Sequence, residues 1–239
     1  MESPRAAFLV IGDEILSGRT RDANTHHLAQ TLTDHAIRLT EVRVVSDDES
    51  VIVDALRALS SSYDYVFTSG GIGPTHDDIT ADAVAAAFDA DIGIRSDARE
   101  LLAAHYADRG IEFNAARQRM ARIPEGAELI ENPVSVAPGF SLGNVFVMAG
   151  VPNIFQAMLA GVVPKLTGGD LLLSASVEIW RGEGEIADRL ARLAAEHSHL
   201  SIGSYPFSKN GRFGVNIVIR GTSRSEVDEI AEQLTELLD

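Results

Sequence analysis

Ala6 to Ile11 is an unbroken apolar run closed by Gly12, the pattern of a buried strand. Residues 22–37 then carry Leu28, Leu32 and Ile37 near helical spacing, with Asp22 or Asn24 placed to cap the start. RLTEVRVVSD (38–47) alternates partially and predicts a second strand, ESVIVDALRALSSS (49–62) a helix, and YDYVFTSGG (63–71) a third strand running into glycines. From Ile79 the alanine-rich ITADAVAAAFDA is helical again.

Strand and helix alternating at such short intervals predict a three-layer α/β domain, a mostly parallel sheet covered on both faces. Later segments are less regular. Residues 96–110 read as a helix, 114–130 as a helix stopped by Pro124, 144–152 as a strand and 153–166 as a helix. The first domain is expected over 1–168, with Gly168-Gly169 as a hinge. Residues 169–239 follow as strand, helix, strand, strand, helix, which predicts a small α+β domain with one helical face.

The 239 residues are enough to bury a real core, and 45% hydrophobic with 23% charged residues is ordinary for a globular chain. Acidic residues outnumber basic ones by 35 to 20, for a formal charge of -15. This excess argues against a nucleic-acid backbone or an anionic membrane as the main partner. An anionic small molecule stays compatible, because backbone dipoles and a metal can reverse the field inside one cleft. There is no cysteine, which excludes disulfides, thiolate metal sites and cysteine nucleophiles. With neither a signal-peptide pattern nor a long apolar span, a cytoplasmic protein is expected.

Three polar clusters fall at strand ends: GDE (12–14), SDD (46–48) and TSGGIGPTHDD (68–78). Ligands of parallel α/β sheets bind beyond the carboxyl ends of the strands. Gly70, Gly71 and Gly73 offer bare backbone N–H groups for phosphate, with Pro74 and the Thr75 hydroxyl beside them. The stretch is neither a Walker loop nor GxGxxG, and a tight strand-to-helix turn is the competing reading. Asp78 is the better helix cap, which leaves Asp77 to face a ligand; His76 is a base, a metal ligand or a solvated loop residue. Asp13 and Glu14 are hard oxygen donors suited to Mg²⁺, Mn²⁺ or Co²⁺ when phosphate completes the shell. Asp47 either joins them or caps the following helix, and Asn24 either caps its helix or reaches the ligand. Arg19 and Arg21 are the nearest cations. No histidine pair is convincing as a metal site: His26 and His27 are helical neighbours that point apart, and His197 and His199 occupy an exposed turn.

GDEILSGRTRDAN, TSGGIGPTHDDIT and NPVSVAPGF, in that order on one α/β domain, resemble the molybdopterin-binding (MoaB/Mog-like) domain. The resemblance is closer still to the N-terminal region of the competence/damage-inducible protein A (CinA) family. Its GDEIL-G---D-N pattern matches at Gly12 to Leu16, Gly18, Asp22 and Asn24, and its T-GG-GPT-DD-T signature from Gly70 to Thr80, with Ser69 in place of a threonine. MARIPEGAELIENP (120–133) is similar to the stretch preceding the NP-GT-APGF motif, and SIGSYPF (201–207) to a motif of the small KH-like second domain. Departures are Ser135 and Val136 within that NP motif, Ala149 for a proline and Ile154 for a glutamate.

The resemblance implies a divalent-metal-dependent pyrophosphatase acting on ADP-ribose or a similar compound. Asp13, Glu14 and Asp77 would hold the metal, Asp47, Asp77 and Asp78 would serve catalysis, and Gly12, Asn24, Gly70, Gly71, Gly73, Pro74 and Thr75 would hold phosphate or substrate. Relatives are linked to FAD hydrolysis, and the Mog-like branch binds and adenylylates molybdopterin, so a pterin is the alternative ligand. Loss of catalysis with the pocket retained is a third reading, motivated by Ala149 and Ile154. A homo-oligomer, dimer or trimer, is expected. The chain ends before the C-terminal amidase domain of full-length members, so nicotinamide-nucleotide deamidation is not expected.

Overall fold

A computed structural model describes residues 3–238. These fall into two compact units that divide between Gly169 and Asp170.

The first unit opens with β1 (Arg5–Ile11), α1 (Asp13–Leu16), α2 (Asn24–Asp34), β2 (Arg38–Val45), α3 (Glu49–Ser62), β3 (Tyr65–Ser69) and α4 (Thr80–Ala87). It continues through β4 (Ile92–Ile94), α5 (Ser96–Asp108), α6 (Ala115–Gln118), β5 (Arg122–Pro124), β6 (Glu128–Ile130), β7 (Gly139–Leu142), β8 (Val145–Met148) and α7 (Pro152–Val162). Its main sheet has the order β2-β1-β3-β8-β7-β6. The first three pairings are parallel, whereas β8, β7 and β6 form an antiparallel edge. A separate antiparallel pair joins β4 to β5.

The apolar run of β1 explains the layering. Ala7, Leu9 and Ile11 face one core, with Ile52, Leu56 and Leu59 of α3, Val84 of α4 and Leu102 of α5. Ala6, Phe8 and Val10 face the other, with Leu28 and Leu32 of α2 and Phe155, Met158 and Leu159 of α7. A strand buried on both faces cannot alternate with polar residues, which is why this one is continuously apolar. Because β2 and β3 lie on opposite sides of β1, the chain reverses its direction of travel across the sheet between β1 and β3. The crevice of a doubly wound sheet opens at such a switch point, outside the carboxyl ends of the strands.

Asp48, rather than Asp47, caps α3: its Oδ1 accepts from the N–H groups of Ser50 at 2.9 Å and Val51 at 3.3 Å. The Ser50 hydroxyl and these two N–H groups hold the Asp48 carboxyl below the usual range. Its stabilising effect is therefore present above the unfolded-state pKa and lost as pH falls through the folded one. Asp48→Ala should lower the thermal midpoint at neutral pH, with the gap to wild type closing in acid, as a pH series of melting curves will show.

Gly168 and Gly169 are not a free hinge. The N–H of Gly169 donates to the Ala36 carbonyl at 3.1 Å, and a Cβ on Gly168 would stand 2.1 Å from the His35 carbonyl oxygen. The turn between α2 and β2 leaves no room for a side chain at Gly168, and the backbone of Ser3 leaves none at Gly169.

The second unit comprises β9 (Leu173–Ile179), α8 (Glu183–Glu196), β10 (Ser201–Lys209), β11 (Arg212–Gly221) and α9 (Arg224–Leu238). Its antiparallel sheet has the order β10-β11-β9. Val215, Ile217 and Ile219 of β11 form one core with Ile186 and Leu193 of α8 and Val227, Ile230 and Leu234 of α9. Among the described residues no helix is long and apolar enough to cross a membrane.

Candidate functional site

The loops after β1, β2 and β3 meet at the switch point. After β1, Gly12 donates its N–H to the Val45 carbonyl at 3.1 Å, and Asp13 and Glu14 open the single turn of α1. The N–H of Asp13 donates to Asp47 Oδ2 at 2.9 Å, which ties the first strand's loop to the second's. Burial pushes the Asp47 carboxyl up; that N–H opposes the rise, and the charges of Asp13, Glu14 and Asp77 add to it. Asp47 therefore senses carboxylates from the loops of the other two strand ends.

After β3 the glycine turn is pinned from both sides. Gly70 donates its N–H to Met148 and its carbonyl accepts the hydroxyl of the buried Thr80 at 3.0 Å; the Thr80 N–H returns to the Gly71 carbonyl at 3.0 Å. Gly70 has φ 106°, and a Cβ there would stand 2.2 Å from the Ile11 carbonyl oxygen. Only glycine suits that position.

Asp78 is not a helix cap. Its Oδ2 turns back to accept from the N–H of Thr75 at 2.8 Å and from the Thr75 hydroxyl at 2.6 Å, while α4 starts at Thr80 with no side-chain cap. The hydroxyl expected to meet phosphate is thus spent within the turn. Asp77 is exposed, 3.9 Å from an exposed His76. Hydrogen bonding within the turn, with His76 beside it, lowers the Asp77 carboxyl from the usual range. Pro74 is exposed at the tip of the same turn.

Asn24 does not cap α2 either. Asp22 does that work, its Oδ1 accepting from the N–H groups of Asn24 and Thr25. The Asn24 side chain is buried and its Nδ2 donates to Ser69 Oγ and to the Gly150 carbonyl, both at 2.8 Å. Its buried Oδ1 has no hydrogen-bond partner among the described residues. Asn24 lines a depression with Glu14, Thr20, Ser69 and Gly150.

A second depression lies across the glycine turn, lined by Gly71, Gly73, Asp78, Arg119 and Arg122. Arg119 donates to the Asp78 carbonyl at 3.3 Å, and Arg122 pairs with Asp82. The buried Nε of each arginine lacks a partner among the described residues. Arg21 lines the depression at Asn24 and Arg19 lies with Asp13 and Glu14, whereas Arg119 and Arg122 flank the glycine turn. The sequence offered only a weak signal: RQRMAR places them three apart, on one face of a helical turn.

Asp13, Glu14, Asp47 and Asp77 supply the hard oxygens that suit Mg²⁺ or Mn²⁺, and their mutual repulsion is what a cation would relieve. Among the described residues the one group of three His, Asp or Glu ligand atoms within 4.8 Å of one another lies elsewhere, in the second unit. The crevice carboxylates are more widely spread. Asp47→Asn keeps an oxygen for the Asp13 N–H and removes one charge. Because the folded-state pKa of Asp47 is raised, its favourable contribution exists in acid and is lost as pH rises through that pKa. The metal-free variant should melt above wild type at neutral pH and level with it in acid.

At the family departures, Ile154 packs with Ala149 against the core around Phe155. Val136 holds φ 69°, a left-handed conformation costly for a β-branched side chain. The buried Asn132 side chain braces that loop through Ser135 and the Ala137 carbonyl.

Residues 7–168 match the family described as probable molybdopterin binding domain, and residues 171–239 match FAD synthase, middle domain. A probable FAD synthase of Caenorhabditis elegans is 32% identical over 98% of this chain and 50% of its own length. A CinA-like protein of Citrifermentans bemidjiense is 39% identical over 69% of this chain and 41% of its own. The chain thus spans half or less of either relative. The crystal structure of CinA, of unknown function, from Thermoplasma acidophilum aligns with TM-score 0.63 and 33% identity, over 69% of this chain and 99% of that one. The chain belongs to the molybdopterin-binding domain family, in its CinA N-terminal branch.

Proposed function

We propose that the crevice outside β1 and β3 binds a nucleoside diphosphate-linked compound such as ADP-ribose and hydrolyses its pyrophosphate with a divalent cation. The observation that carries this reading is the meeting of three strand-end loops: the Asp13 N–H holds Asp47, whose carboxyl feels the charges of Asp13, Glu14 and Asp77, and the loop that carries Asp77 runs through Gly71 and Gly73. Bare carboxylates would repel a phosphate; with a cation between them, carboxylates and glycine amides can share one ligand. Bound there, the cation would neutralise the pyrophosphate and lower the pKa of water.

The chain's own groups divide by their ionisation. Asp77, held below the usual carboxylate range, stays charged and suits a ligand role with Asp13 and Glu14. Asp47, raised by burial, suits the role of accepting a proton from water. Arg119 and Arg122 bring positive charge to one side of the turn, and Asn24 lines the depression on the other. Asp78 acts through Thr75, shaping the turn.

The test is AMP release by the purified protein from ADP-ribose, FAD and NADH with Mg²⁺, Mn²⁺ or Co²⁺. Turnover that chelator abolishes is expected. Folded protein that binds nucleotide and turns none over with any metal would overturn the hydrolase reading. It would favour a second one, a nucleotide- or pterin-binding module without catalysis, for which the observation is Ile154 packed into apolar core where the resemblance calls for a glutamate.

A further inference from the structure

The second unit brings together three ligating side chains that the crevice does not use. His197, His199 and Glu226 each present a ligand atom within 4.8 Å of the other two. His199 Nε2 lies 2.5 Å from Glu226 Oε1, and the two imidazole rings are 6.1 Å apart between centroids at 63°.

Their positions are fixed by the core beneath them. His197 ends α8, its N–H donating to Leu193 at 3.0 Å while its carbonyl accepts from Leu200 at 2.9 Å. That turn sets Leu200 into the core, where it joins Val227 and Leu193. His199 precedes Leu200, and Glu226 precedes Val227 in the first turn of α9. Two neighbouring core anchors therefore hold the histidine and the glutamate side by side at the rim. Arg224 does not compete for Glu226, because it pairs with Asp228 at 3.0 Å.

We propose that His197, His199 and Glu226 form a binding site for a borderline divalent transition-metal ion of the Zn²⁺ or Co²⁺ type, with water completing its shell. Two imidazoles and one carboxylate are a donor set suited to these ions and poorly suited to Mg²⁺. Two ligands each about 2.1 Å from a tetrahedral ion stand ~3.4 Å apart. Opening the His199–Glu226 contact by about 1 Å and drawing in His197 would admit the ion, movements within reach of side chains at the rim. The carbonyl end of α8 beside His197 favours a cation, and Glu226 offsets the opposing N-terminal end of α9. The ion would clamp the turn between α8 and β10 to α9, independently of the crevice in the first unit.

Titration of the full chain with Co²⁺, followed by visible absorption and reversed with Zn²⁺, tests this. One equivalent with the intense bands of tetrahedral Co²⁺ is expected, undisturbed by excess Mg²⁺ and retained in Asp77→Asn. His199→Gln and Glu226→Gln, checked for wild-type circular dichroism, should weaken binding by more than the about 10- to 100-fold that loss of an outer-shell partner costs. His197→Ala should do the same. No saturable Co²⁺ binding, or binding unchanged in these three variants, would reduce the cluster to a surface ion pair and overturn the proposal. Loss of the Co²⁺ signal in Asp77→Asn would place the ion in the crevice and overturn it equally.

Discussion

Asp77→Asn is expected to cut metal-dependent release of AMP from ADP-ribose by about 10²- to 10³-fold, the cost of losing one preorganised electrostatic group. Asp77 sits beyond the glycine turn on an exposed stretch, so its amide costs the fold little. Hydrogen bonding within the turn and His76 lower its carboxyl from the usual range, so it carries a negative charge at neutral pH. The substitution removes that charge and leaves the turn, which depends on Asp78 and Thr80, intact. The loss should fall on kcat more than on KM, since the glycine amides and arginines remain to bind ground-state substrate. An equal loss in Asp78→Asn, with wild-type stability, would instead show that Asp78 meets the reacting group.

Gly70→Ala should destabilise the first unit by roughly 2–5 kcal/mol, combining overpacking with left-handed strain. The new methyl would press on the Ile11 carbonyl at the end of the strand that feeds the Asp13 loop. Stability and site geometry are therefore coupled at this residue. Denaturant unfolding followed by circular dichroism gives the stability loss, and the same protein should have lost turnover at temperatures where it is still folded. A fully stable Gly70→Ala variant would contradict the packing described between β1 and the turn.

Much of this was legible in the sequence wherever a period was long enough to count. The helix expected over 49–62 is α3 residue for residue, because Ile52, Leu56 and Leu59 repeat on one face of a fourteen-residue segment. The unbroken run of β1 told of its burial, and the close alternation of strands with helices told of the fold class. Short elements left no period to read: α1 has four residues, and β5 and β6 have three each. Within the antiparallel edge, β6 with three residues and β7 with four were hidden for that reason, whereas β8 was read as a strand.

In the site, residue types were readable and their partners were not. Asp47 and Asp48 are adjacent and identical, and only the backbone decides between them; Asp48, extended at φ -113° and ψ 121°, takes the cap. The helix after the glycine turn starts at Thr80, one residue later than expected, which frees Asp78 to fold back on Thr75. Asn24 reaches Gly150, 126 residues away, a contact no local pattern encodes. His199 and Glu226 meet across 27 residues for the same reason.

Calorimetric binding of a non-hydrolysable ADP-ribose analogue, with Mn²⁺ and then with chelator, tests the crevice most directly. One site that requires the cation and is lost in the Asp13→Asn, Asp77→Asn double variant is the predicted result. Binding of equal strength in chelator, or in the double variant, would mean that no cation joins the carboxylates to the glycine turn.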